Sequence, residues 1–123
     1  MCYHAPACDY GNTLVCESMV AGETLAMLER LLATGRKMIF VTGRELDDPL
    51  KVRPDIRLFY RVVAENGAFL FHPATCGEKA LVPSIPEAFV QALREQGVRH
   101  CSAGRVIVST QRPEGHSRAI ALY

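Results

Sequence analysis

Residues 21–44, AGETLAMLERLLATGRKMIFVTGR, decide how this chain folds. Leu25, Leu28, Leu31 and Leu32 recur at helical spacing, and Gly35 stands where a helix closes on a left-handed residue. The run Met38 to Val41 is apolar without alternation, as a parallel strand buried on both faces requires. Upstream, His4 to Cys8 reads as a strand ending at Asp9. Pro6 within it lacks the N–H that a sheet ladder needs, so it suits an edge. Strand, helix and strand together make one βαβ unit with a right-handed crossover.

The same alternation continues downstream, which makes the chain α/β. Asp48 and Pro49 suit the N-cap and first position of a short helix before Pro54. Tyr60 to Ala64 is a strand, Asn66-Gly67 a tight turn, and Ala68 to Phe71 the return. A second helix starts near Pro86, places Phe89, Val90 and Leu93 on its apolar side and stops at Gly97. GRVIVST (104–110) reads as a strand, and RPEGHSRAIALY (112–123) as the start of another helix. A turn-rich patch from Pro73 to Gly77 separates the two halves.

With 123 residues, of which 49% are hydrophobic and 22% charged, the chain suits one soluble domain with its own core. A net charge of +1 argues against nucleic acid or an anionic membrane as partner. From Arg94 onward five arginines face two glutamates, but no aromatic residues are interleaved with them as a nucleic-acid surface would have. No apolar run is long enough to span a bilayer, and the first ten residues lack the features of a signal peptide. Five cysteines without a CxxC pair suit free thiols in a reducing cytoplasm. Cys2, His4 and Cys8 match no common zinc spacing, and His72, His100 and His116 read as isolated surface or loop residues.

In an open parallel sheet, ligands bind outside the carboxyl ends of the strands. The first strand delivers Asp9 and then Thr13; the second delivers Thr42-Gly43-Arg44. One carboxylate, two hydroxyls, a glycine turn and an arginine suit a phosphorylated ligand. Each also has a plainer reading: Asp9 as a turn residue, Thr42-Gly43 as an ordinary βα turn, Arg44 as surface. Glu65 reads as a solvated carboxylate rather than a group aimed at substrate.

Three segments carry a resemblance. CDYGNTLV (8–15) resembles the first motif of the haloacid dehalogenase (HAD) superfamily, Asp-x-Asp-x-Thr. FVTGREL (40–46) resembles its second motif, and RVVAENGAFLF (61–71) the Glu-Asn-Gly-Ala segment of its Cof-type, sugar-phosphatase-like branch. The resemblance implies a partial Rossmann-like parallel sheet over residues 1–75 and the beginning of an inserted α/β cap over 76–123. It implies Asp9 as the nucleophile of phosphate-monoester hydrolysis and as a ligand of Mg²⁺. Thr42, with Gly43 and Arg44, would hold the phosphoryl group, and Thr13 would brace the loop. Gly11 would offer its backbone carbonyl to the metal. The family's phosphatases carry an aspartate at that position, and losing such a general acid/base forfeits about 10²–10⁴-fold in rate.

The third-motif lysine and the acidic pair of the fourth motif would follow the cap and do not occur in these residues. The expectation is therefore a truncated chain with weak or no activity on a sugar or small-metabolite phosphate. A dehalogenase or phosphonatase reading fares no better, since it needs the same lysine. The alternatives are a non-catalytic relic, and an interaction module that self-associates through the exposed edge of the Asp9 strand.

Overall fold

The computed structural model describes residues 4–9, 22–46, 54–111 and 117–120. Strand β1 (Ala7–Asp9) leads to helix α1 (Gly22–Ala33) and strand β2 (Ile39–Val41). A 3₁₀ helix (Pro54–Leu58) precedes β3 (Arg61–Ala64), and a 3₁₀ turn (Glu65–Gly67) joins β3 to β4 (Phe69–His72). Then come β5 (Gly77–Ala80), α2 (Glu87–Glu95), β6 (Cys101–Ala103), β7 (Val108–Gln111) and β8 (Ser117–Ile120). β1 to β5 form one sheet in chain order, and β6 to β8 a second. β1, β2 and β3 run parallel, while β4 and β5 add antiparallel.

The βαβ unit forms as its periodicity requires. Leu28 of α1 is buried, and Leu31 and Leu32 pack half-buried against the main core. Glu23 in the first turn and Arg30 in the last complement the helix dipole. Gly35 stops the helix at φ +81°, donating its N–H to the Leu32 carbonyl at 2.9 Å. Met38 and Phe40 then enter the core at 0% and 5% exposure. Helix α2 repeats the pattern, with Val90 buried, Pro86 at its N-cap and Gly97 at φ +84° beyond its end.

The main core joins Met38, Phe40, Ile56, Phe59, Val62, Phe69 and Phe71, and it also takes in Val106 and Ile107. Phe40 and Phe59 meet edge to face at 5.1 Å between centroids. The two sheets therefore share apolar packing, because the turn between β6 and β7 is pressed into the first sheet's core.

The structure corrects two details. Residues 117–120 are a strand paired antiparallel with β7 (Val108↔Ile120 to Gln111↔Ser117), where the sequence predicts a helix. β7 has a free side whose backbone groups need partners, and a short helix without an apolar stripe is marginal alone. The strand expected over 104–110 begins only at Val108. Gly104 to Ile107 instead make the hairpin turn, closed by the Gly104 N–H on the Ile107 carbonyl at 2.8 Å. The turn-rich patch at 73–76 is a hairpin turn as well, and the first sheet continues beyond it through β5. The short helix expected at Asp48-Pro49 lies outside the described residues.

Candidate functional site

β1 and β2 run parallel with Asp9 directly opposite Val41, one residue before Thr42. The carboxyl edge of the sheet thus receives Asp9 from one strand and the Thr42-Gly43-Arg44 turn from its neighbour. Asp9 is exposed. Thr42 is 4% exposed and donates its backbone N–H to the Val63 carbonyl at 2.8 Å, which ties the turn to β3. Its Oγ1 accepts the Arg44 N–H at 3.1 Å and shapes the turn locally. Thr13 and Gly11 lie outside the described residues.

Gly43 is required by a close approach. A Cβ there would fall 2.6 Å from Oδ1 of Asn66. Asn66 itself sits at φ +56°, between Glu65 at +53° and Gly67 at +91°. Three successive left-handed residues, the first two with side chains, need compensation elsewhere.

Glu65 supplies it. The sequence reading of a solvated carboxylate is wrong, since Glu65 is 0% exposed. Its Oε1 accepts the Arg105 N–H at 3.0 Å, and its Oε2 accepts those of Val106 (2.7 Å) and Ile107 (3.1 Å). One carboxylate satisfies the donors of the β6–β7 turn, and charged acceptors make the stronger hydrogen bonds. Gly104 leaves the room, because a Cβ there would lie 2.7–2.9 Å from the carboxylate atoms. Arg105 adds a second tie across the sheets. Its guanidinium bonds the Leu46 carbonyl, pairs with Glu78 at 3.0 Å and lies 5.3 Å over the Phe69 ring. The Glu65 N–H in turn donates to the Arg44 carbonyl at 3.1 Å. A single turn thus fixes the anion-loop candidate on one side and the second sheet on the other.

Between these parts lies a cleft of ≈ 770 Å³. Gly43, Arg44, Glu45 and Asn66 line it from the first sheet, and Arg99, His100, Cys101, Ser102 and Ser109 from the second. Arg44, Arg99 and His100 are exposed in it, so its lining offers cationic groups and hydroxyl donors to an anion. Glu45 is the carboxylate among them. The Ser109 hydroxyl donates to its Oε1 at 3.2 Å, while its Oε2 is buried with no hydrogen-bond partner among the described residues. Asp9 is at the sheet edge and not among the lining residues.

Sequence reasoning brought Gly43 and Arg44 to the cleft but missed Glu45, Arg99, His100 and Ser109. His100, read as an isolated histidine, joins the lining only through the second sheet. The arginine excess from Arg94 onward was the one available signal. His72 meets Thr75 Oγ1 at 2.8 Å and the Tyr60 ring at 6.0 Å, away from the cleft.

The described residues do not by themselves fit a Mg²⁺ shell. Asp9 supplies one carboxylate, and no group of three or more His, Cys, Asp or Glu side chains stands together among them. A hard cation prefers about six oxygen ligands in near-octahedral array.

No family model matches the sequence, and no curated protein does. Solved structures do match. A haloacid dehalogenase-like hydrolase from Bacteroides thetaiotaomicron superposes over 76% of this chain and 36% of its own, with TM-score 0.63 at 18% identity. A haloacid dehalogenase-like hydrolase from B. subtilis matches 89% of this chain and 40% of its own, with TM-score 0.63 at 17% identity. The HAD subclass IIB sugar phosphatase BT4131 matches 90% of this chain and 45% of its own, with TM-score 0.59 at 26% identity. The chain spans less than half the length of each. Its α/β fold is that of the HAD-superfamily hydrolases.

Proposed function

We propose that this chain carries a HAD-type site for the hydrolysis of phosphate monoesters, of the Cof-type, sugar-phosphatase-like branch. Residues 1–75 act as the partial core, whose sheet β5 extends by one strand, and the rest of 76–123 as the start of the cap. The observation that carries the reading is the parallel register of β1 and β2, which sets Asp9 and the Thr42-Gly43-Arg44 turn on one sheet edge. Asp9 attacks phosphorus through a carboxylate oxygen, and the P–O bond to the alcohol breaks as the acyl-phosphate bond forms. Thr42, Gly43, Arg44 and Thr13 hold the phosphoryl oxygens. The departing alkoxide takes its proton from water, since Gly11 has nothing to donate. A second water then hydrolyses the aspartyl-phosphate, releasing inorganic phosphate and restoring Asp9. The substrate class is a sugar or other small-metabolite phosphate, and turnover is slow because the acid is missing. The free thiols of Cys8, Cys76 and Cys101 support a reducing, cytoplasmic setting.

The test is p-nitrophenyl phosphate hydrolysis, with and without Mg²⁺, by the native chain and by Asp9→Asn and Gly11→Asp variants. Slow native turnover, loss in Asp9→Asn and a gain of about 10²-fold or more in Gly11→Asp are expected. Turnover that survives Asp9→Asn would refute the reading.

One observation favours a second reading. β1 stands at the end of the five-stranded order, so among the described residues it has one strand neighbour. An interaction module would pair a further strand there, with no catalysis. Inactivity of both the native chain and Gly11→Asp, together with concentration-dependent elution on size exclusion, would favour it.

A further inference from the structure

We propose that Lys37, Tyr60 and Arg61 form a second anion site, suited to a diphosphate group, on the sheet edge opposite Asp9 and Thr42. β2 and β3 run parallel, so the residues that lead into them fall together at their amino ends. The Lys37 N–H donates to the His4 carbonyl at 3.0 Å, and the Tyr60 N–H to the Met38 carbonyl at 2.8 Å, which fixes both approaches. None of the three residues lines the cleft.

One tyrosine gathers both cations. The Lys37 ammonium and the Arg61 guanidinium each lie 4.1 Å from the centre of the Tyr60 ring, so their charges stand no farther apart than twice that distance. The electron-rich ring face attracts each of them and offsets part of their mutual repulsion. Neither forms an ion pair among the described residues, and Glu78 of the same sheet is taken by Arg105. Arg61 is ordered further by an Nη1 hydrogen bond to the Tyr60 carbonyl at 2.8 Å, which leaves Nε and Nη2 as donors. His72 stands edge-on to the ring at 6.0 Å with Nδ1 engaged by Thr75 Oγ1, so Nε2 is its remaining ring nitrogen. Tyr60 is 42% exposed and Lys37 is exposed, so a ligand in solution reaches the cluster. Two like charges held this close without an acid concentrate positive potential at one place. Arginine engages phosphate oxygens through paired N–H groups and lysine as a point charge. Two such stations match two linked phosphoryl groups, whereas a single phosphate meets one of them fully.

Amide NMR titration of the full chain with pyrophosphate and with inorganic phosphate, at constant ionic strength, tests this. Saturable shifts are expected at residues 37, 60, 61 and 72, with pyrophosphate bound about tenfold or more tightly than phosphate. That comparison needs no variant. Lys37→Gln and Arg61→Gln keep part of each stem and remove the charge, and each should weaken pyrophosphate about tenfold. Arg44→Gln, in the cleft, should leave the shifts at these four residues unchanged. Shifts confined to the cleft residues, equal affinity for the two anions, or shifts that survive both glutamine substitutions would overturn the inference and leave the ring contacts as packing alone.

Discussion

Consider the exchange of Glu65 for glutamine, which preserves shape and replaces one carboxylate oxygen by an NH₂. In the better amide orientation the remaining oxygen takes the place of Oε2 and keeps the Val106 and Ile107 N–H groups, now at 2.7 and 3.1 Å. The NH₂ then faces the Arg105 N–H that Oε1 had accepted at 3.0 Å, donor against donor. One charge-assisted bond worth about 1.5–3 kcal/mol is lost, and the other two fall toward the neutral range of about 0.5–1.5 kcal/mol. Relief from burying a carboxylate works in the opposite direction. That relief is the smaller effect here, because the native carboxylate is fully engaged while the amide leaves a buried donor opposed. The net destabilisation should be about 2–4 kcal/mol, against a typical domain stability of about 5–15 kcal/mol. Urea unfolding followed by circular dichroism would read it as a lower midpoint. Hydrogen exchange should accelerate first at amides 105–107, since the turn loses its acceptor before the sheets separate. A change under about 0.5 kcal/mol, as at an ordinary surface site, with unchanged protection at those amides, would show that Glu65 does not clamp the two sheets.

Other consequences are open to the same kind of test. Gly104→Ala drives a Cβ to 2.7–2.9 Å from the Glu65 carboxylate and should cost about 1–3 kcal/mol in urea unfolding. Because the two positions touch, its effect in a Glu65→Gln background should fall short of the sum. Gly43→Ala pushes against Asn66 Oδ1 at 2.6 Å and should weaken inorganic phosphate binding about tenfold by calorimetry. Asn66→Gly, which tolerates φ +56°, should restore it in the double variant. Phe69, 1% exposed beneath the Arg105 guanidinium, should cost about 3–5 kcal/mol on truncation to alanine, read as a lower melting midpoint.

What the sequence determined by itself is the βαβ frame and its two strand tips. The leucine spacing of α1, the unbroken apolar run into β2 and the glycine that ends the helix are relations among near neighbours, so local physics suffices to read them. Asp9 and Thr42-Gly43-Arg44 fall on one edge as a direct consequence of that frame. The tertiary structure decided what has its cause far along the chain. Glu65 looks like any exposed acid until a turn 40 residues on presents three N–H groups to it. Ser117–Ile120 looks helical until β7 offers an unpaired side. The cleft needs residues 43–45 and 99–102 face to face, and no periodicity encodes their meeting. Burial of a charge or pairing of a strand is settled by whichever distant groups arrive to satisfy it, and that information is distributed over the whole fold.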